Sequence, residues 1–134
     1  MAPRMGSDRV PDVSFHFDHD SRAPSAARKA LSPLLGPDDP LTAPVTLSAS
    51  ELISNVVMHT DDGGEMRVWD PKPDVPLRLE IEDHELATPT AQPYEAQRIG
   101  GRGISIVERL ADAWGTLRTA AGKVVWAEFD RSKR

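Results

Sequence analysis

The sequence predicts an α/β (α+β) sandwich, in which about three helices cover one face of a mixed, mostly antiparallel sheet. Apolar residues alternate with polar ones in several short segments, as is typical of half-buried strands. Longer segments repeat apolar residues at the helical period instead. The order of these segments is β-α-α-β-β-loop-α-β-β, without an internal repeat, and it favours helices packed on one side of a single sheet.

The size and composition of the chain predict one domain. Its 134 residues are enough to bury a core, and we place the domain at residues 13–130, between a flexible tail over 1–12 and a short tail over 131–134. The net charge of −5 argues against a protein built mainly to bind nucleic acid. There is no cysteine for a disulfide or a thiolate metal site, and no apolar run approaches the ~20 residues of a membrane span. We therefore expect a cytoplasmic protein that binds neither membranes nor nucleic acid directly.

The first half of the domain is expected to contain one strand and two helices. The stretch "VSFHFDHD" alternates in hydropathy and predicts the strand. An alanine-rich helix should begin near residues 21–25 and end by Gly36. The second helix should run from about Thr42 or Pro44 to residue 58 or 59, where "DDGG" stops it.

The second half is expected to contain four strands and one helix. The strands "EMRVWD" and "PLRLEIED" flank the turn "PKPDV" and should form a hairpin. Residues 84–100 have no period and predict a long loop, often a lid over a ligand. The stretch "RGISIVERLADAW" predicts a helix with Ile104, Val107, Leu110 and Ala111 on one face, and "WGTLRTA" and "KVVWAEFD" predict two final strands joined by "AG".

Polar residues follow one edge of the second helix. Glu51 and Asn55 lie four residues apart, and His59 continues the same row beside a stripe of apolar residues. Such a row is either a solvated helix flank or the wall of a site. Two further features have the same ambiguity. Asp83 ends a strand at the start of the long loop, and "GGRG" precedes a helix whose N-terminus favours anions, although such turns are often only tight turns.

The histidines near the N-terminus are not expected to bind a metal. The carboxylates nearest to His16 and His19 in the sequence are Asp18 and Asp20, which have the character of solvated residues at a strand end.

The order and spacing of these motifs along the chain favour a functional interpretation over a purely structural one. "ELISN" on a helix, "IED" at the end of a strand, a loop, and "GGRGI" before "VERLADAWG" together resemble the histidine-kinase-like ATPase superfamily, the GHKL or Bergerat fold. More narrowly, the chain is similar to the anti-sigma-factor serine kinases and their actinobacterial ATP-binding relatives. The resemblance covers roughly residues 13–130 and implies a Bergerat-type ATP-binding fold with ATP and Mg²⁺ as cofactors.

The resemblance implies a role for each residue in the polar row. Asn55 would bind Mg²⁺ through its amide oxygen, which suits a cation that prefers hard oxygen ligands and keeps several waters. Glu51 would be the catalytic base that accepts a proton from the attacking hydroxyl or water. His59 would belong to the nucleotide-binding residues.

The other two motifs would bind the remainder of the nucleotide. Asp83 would accept a hydrogen bond from the adenine amino group. Gly101, Arg102 and Gly103 would cap the phosphates at the helix N-terminus, with Ile104 directly after them.

The chain departs from the family pattern at two places. His84 and Glu85 follow Asp83, where the family usually has a glycine or another small residue. The last strand begins with "GKVV" instead of the Gly-Thr that helps to hold adenine in many members. The first departure affects how closely this loop can approach the base or the ribose, and the second predicts weaker adenine recognition than in a typical member.

The implied function is an ATP-binding regulatory protein of the anti-sigma-factor kinase type. It would phosphorylate a Ser or Thr of an anti-anti-sigma-like partner, with a sigma factor as a second candidate partner; whether it forms a homodimer is left open. One alternative is a nucleotide-gated or catalytically inactive module that binds a partner, and another is a stand-alone ATPase. Glu51 favours an enzyme because binding alone needs no base, whereas the residues after Asp83 favour the binding module.

Overall fold

The computed structural model describes residues 9–71, 74–84 and 101–134, without the side chains of 101–103. The described elements are, in chain order, β1 (Val13–Phe17), α1 (Ala23–Leu31), α2 (Thr42–His59), β2 (Gly64–Trp69), β3 (Leu77–Asp83), α3 (Gly101–Leu110), β4 (Ala113–Arg118), β5 (Lys123–Phe129) and a 3₁₀ helix (Arg131–Lys133). This order confirms the predicted α+β architecture.

The five strands form one sheet in the order β1-β2-β3-β5-β4. The predicted hairpin of β2 and β3 is confirmed, and each of the four pairings in the described part of the chain is antiparallel. The helix predicted over residues 102–114 ends earlier, at Leu110. The reason is that Ala113 and Trp114 pair with β5 as the start of β4.

The helices cover one face of this sheet. Helix α2 contacts both α1 and α3, and it also packs on β3, the central strand. The core lies between these two layers, where Val45 and Ile53 of α2 and Leu77 and Leu79 of β3 are fully buried. Because burying each such side chain stabilises the fold by about 1.5–3 kcal/mol, α2 is held firmly against the middle of the sheet.

The opposite face of the sheet is lined by charged side chains, and we call it the open face. The strand register places Arg67, Glu80 and Glu82 on this face, because they alternate with the core residues of β2 and β3. Arg78 lies there too, over the ring of Trp126 at 4.6 Å from its centroid. The helices in the described residues are too short or too polar to cross a membrane.

Residues on both sides of the predicted domain bond to the sheet or to the segments next to it. The Asp12 N–H donates to the Val68 carbonyl at 2.7 Å, and the Trp69 indole N–H donates to the Arg9 carbonyl at 3.0 Å. At the other end, Arg131 forms ion pairs with Asp39 and Asp70. The predicted bounds 13–130 themselves stay a prediction.

Candidate functional site

Helix α2 presents the polar row that the sequence predicts. Glu51, Asn55 and His59 lie within Thr42–His59, and their neighbours Leu52 and Ile53 are buried in the core. Glu51 and Asn55 are partly buried, whereas His59 is exposed in the last turn. The row is therefore a boundary between core and solvent along the helix that lies centrally against the sheet.

An open groove runs along the N-terminal half of α2 as far as Glu51. Its lining comes from α1, from the connector before α2 and from α2 itself, and includes Arg28, Asp38, Asp39, Thr46, Leu47 and Glu51. Arg28 donates from Nη1 to the Ser50 hydroxyl at 3.2 Å, and so ties α1 to α2 beside Glu51. Leu47 is 45% exposed in this groove, and Glu51 lies at its end.

Asp83 ends β3 on the face of the sheet that the helices cover. In the register it pairs with Gly64 of β2, which itself pairs with the core residue Phe17. The Lys123 N–H donates to the Asp83 carboxylate at 3.2 Å. A Cβ at residue 122 would lie 2.1 Å from the Asp83 carbonyl oxygen, so only glycine lets the β4–β5 turn approach this strand end. The backbone of the turn thus fixes the position of the carboxylate.

His84 points away from Asp83, although it follows it directly. Its ring lies 6.1 Å from the ring of His16, and its side chain groups with Glu65 and Glu82 on the open face. The imidazole at this position therefore does not crowd the face to which Asp83 belongs.

Helix α3 is described from Gly101, one residue before the predicted start, so that "GRG" lies in its first turn. The N–H groups of a first turn have no partner within the helix and favour an anion. Ile104 and Val107 are 8% and 0% exposed and anchor α3 in the core, where it packs on α2. The positions of Leu110 and Ala111 against the same core confirm the predicted apolar face.

Two features of the site could not be read from the sequence. The groove beside Glu51 depends on how α1 and the connector pack on α2, and the bond from Lys123 to Asp83 depends on the pairing of β3 with β5. The "AG" between two strand patterns was the only signal for the second feature. The predicted lid lies, from residue 85 to residue 100, outside the described residues.

The site therefore consists of a helix with a Glu-x-x-x-Asn motif that packs on both the sheet and α3, whose first turn is rich in glycine, in an α+β sandwich. A sequence model of the family described as histidine kinase-like ATPase domain matches residues 17–129. The chain belongs to this family, and membership implies that it binds ATP. A comparison with curated proteins found no match.

Proposed function

We propose that this protein is an ATP- and Mg²⁺-dependent serine/threonine kinase of the anti-sigma-factor type. Its substrate would be a Ser or Thr of a small anti-anti-sigma-like protein, and a sigma factor is a second candidate partner. The observation that carries the proposal is the position of Glu51. This residue lines an open groove, one helical turn before Asn55 on the same helix.

The donor set on α2 fits Mg²⁺. Asn55 offers an amide oxygen and Glu51 a carboxylate in the same row, and both are hard oxygen ligands of the kind that Mg²⁺ prefers. Bound there through Asn55, the ion would neutralise charge on the phosphates, as it does in phosphoryl transfer generally. The amide oxygen would orient the ion while leaving most of its waters in place.

Glu51 would act on the partner's hydroxyl. As the hydroxyl oxygen attacks the γ-phosphorus and the bond to ADP breaks, the Glu51 carboxylate accepts the proton that the hydroxyl loses. The N–H groups of the first turn of α3 would bind the phosphate oxygens during this step. Asp83, held by the Lys123 N–H, would accept from the adenine amino group.

Nucleotide binding is tested by thermal unfolding with Asn55→Ala. ATP with Mg²⁺ should raise the unfolding midpoint of the wild type, because a ligand at a hundredfold excess over Kd adds about 2.7 kcal/mol of stability. Asn55→Ala should lose most of the part that depends on Mg²⁺. Ser54→Ala, on the same helix but outside the polar row, is the matched control. If millimolar ATP with Mg²⁺ shifts neither wild type nor control, the site does not bind the nucleotide.

Adenine recognition is tested with Asp83→Asn. The variant keeps an acceptor for the Lys123 N–H but removes the charge, and a hydrogen bond to a charged group contributes about 1.5–3 kcal/mol. ATP affinity measured by calorimetry should therefore fall by about 10-fold or more, whereas GTP, which has no amino group at that ring position, should bind equally poorly to both proteins. Equal ATP affinity of variant and wild type would show that Asp83 does not read the base.

Phosphoryl transfer itself is tested with labelled ATP and candidate partner proteins. Label should appear on a Ser or Thr of one partner, and only with Mg²⁺ present. The second candidate function is a module that binds its partner without phosphorylating it. It is favoured by Lys123, which stands where many family members have the adenine-contacting Thr. A stable partner complex that never becomes labelled would select this second function.

A further inference from the structure

The open face holds four potential metal ligands at one end of the sheet. We call them the open-face cluster: His16 of β1, Glu65 of β2, Glu82 of β3 and His84 directly after it. The register places Glu65 opposite both His16 and Glu82, on two neighbouring strands. None of the four belongs to the nucleotide site, because Asp83 and α2 lie on the other side of the sheet.

The ligand atoms of this cluster are close enough to share one ion. One donor atom each from Glu65, Glu82 and His84 lie within 4.8 Å of one another. Bonds of about 2.0–2.2 Å to a tetrahedral ion bring such atoms to about 3.4 Å, so side-chain rotation alone can close the site. The His16 ring lies 6.1 Å from the His84 ring, with the two planes inclined by 25°. Its Nε2 lies 3.4 Å from Asp18 Oδ1, so His16 would exchange this contact for the ion if it provided a fourth ligand.

The charges of the open face leave room for a dication. Among the described residues, the four carboxylates of Glu65, Glu80, Glu82 and Glu128 face the two guanidinium groups of Arg67 and Arg78. Two negative charges are therefore in excess. Arg78 bonds to Glu80 and Glu128, and Arg67 bonds to Glu65 and Glu82. One of the two excess negative charges therefore lies at the end of the sheet where the histidines are.

Glu82 is prepared as a ligand by its surroundings. Its side chain is only 10% exposed, and the Thr119 hydroxyl donates to its Oε2 at 2.7 Å, the kind of outer contact that orients metal ligands. Arg67 donates at 2.9 Å to both Glu65 and Glu82 and competes with an ion for them. Arg67 also approaches Glu80 at 3.5 Å, and this third carboxylate would keep the guanidinium paired if an ion took Glu65 and Glu82.

We propose that the open-face cluster is a binding site for a transition-metal dication of the Zn²⁺ class. Imidazole nitrogens together with carboxylate oxygens suit Zn²⁺, whereas Mg²⁺ prefers oxygen ligands in an octahedron. A bound ion joins the ends of β1, β2 and β3 immediately before residue 85. The site is independent of the proposed kinase activity.

The test is a Zn²⁺ titration of the full chain, tag-free, chelator-treated and without nucleotide, in competition with a chromophoric chelator. Wild type should bind one Zn²⁺, and its unfolding midpoint should rise with the metal. His84→Ala and Glu65→Gln should each weaken binding at least about tenfold. Both side chains are partly exposed, so neither variant threatens the fold. His19→Ala is the matched control and should bind as the wild type does.

Imidazole signals in the NMR spectrum identify the ligands directly. The chain has four histidines, and Zn²⁺ should shift the ring signals of His84 and His16 but not those of His19 and His59. Binding weaker than about 1 mM, or binding that His84→Ala and Glu65→Gln leave intact, would overturn the proposal and make the cluster an ion-pair network only. Equal loss in His19→Ala would overturn it as well.

Discussion

Replacing Glu51 with glutamine should lower phosphoryl transfer to the partner by ~10²–10⁴-fold while nucleotide affinity stays nearly unchanged. Glutamine keeps the size and hydrogen-bonding capacity of the side chain but cannot accept the proton. The contacts of the nucleotide with Asn55 and with the first turn of α3 would remain. Because phosphoryl transfer depends strongly on positioning and less on a base, we expect a loss near the lower end of this range.

The measurement is single-turnover transfer of label from ATP, alongside calorimetric binding of the nucleotide. Glu108→Gln is the matched control, since it removes the same charge from an exposed position on α3. Asn55→Ala should behave differently from both, losing Mg²⁺-dependent binding and transfer together. This separation of two residues one turn apart is what distinguishes a base from a metal ligand.

Other outcomes would assign the chain to one of the alternative functions. If Glu51→Gln transfers phosphate as fast as the wild type, Glu51 is a solvated helix flank in spite of the groove beside it. If the wild type releases phosphate without any partner, and Glu51→Gln does not, the protein is a stand-alone ATPase. If the wild type binds a partner but transfers nothing, the binding module is correct.

Local sequence patterns predicted most of this fold, because hydrophobic periodicity and turn-forming residues determine helices, strands and hairpins from residues that are close in the sequence. Helix α2 was expected to end at residue 58 or 59 and ends at His59, and the β2–β3 hairpin was expected from "PKPDV" between two strand patterns. The motif residues Glu51 and Asn55 could be placed on one helix edge for the same reason. The "GGRG" motif likewise predicted a glycine-rich start for α3.

Contacts between distant segments could not be predicted in this way. His16 was judged an unlikely metal ligand from the carboxylates nearest to it in the sequence. That judgement stays a prediction, but it did not consider that the strand register puts His16 opposite Glu65 and brings His84 to the same end of the sheet. No periodicity encodes such a pairing, because register depends on how whole strands dock.

Arg131 shows most clearly that contacts between residues far apart in the sequence were not predicted, because it lies in the segment predicted as a C-terminal tail. It donates from both terminal nitrogens to Asp70 at 2.8 Å and from Nη2 to Asp39 at 2.7 Å. The partners precede it by 61 and 92 residues. Asp39 also accepts from the Leu41 N–H at 2.9 Å, directly before α2. Arg131 therefore connects the C-terminal 3₁₀ helix, the end of β2 and the start of the helix with Glu51.

The Arg131 pairs are buried enough to matter for stability. The side chains of Asp70, Asp39 and Arg131 are 0%, 14% and 19% exposed. Asp70 first, and then Asp39, raise the pKa of the Arg131 guanidinium above its usual range. A raised pKa stabilises the folded state at every pH below the ordinary arginine pKa and loses this effect only above it. Measurements at neutral pH therefore report the whole contribution.

Arg131→Met should lower the free energy of unfolding by about 3–5 kcal/mol, because it removes the guanidinium from two carboxylates with little access to water. Urea unfolding should show a lower midpoint with an unchanged slope. Arg22→Met is the matched control, because the side chains of Arg22 and its partner Asp20 are 87% and 38% exposed. The free energy of unfolding of this variant should equal that of the wild type within error. In a double-mutant cycle, Asp70→Asn should cost much less in the Arg131→Met background than alone, because the charge it removes no longer has its guanidinium partner. Strictly additive costs, or a loss no larger than that of Arg22→Met, would mean that Arg131 does not hold these three segments together.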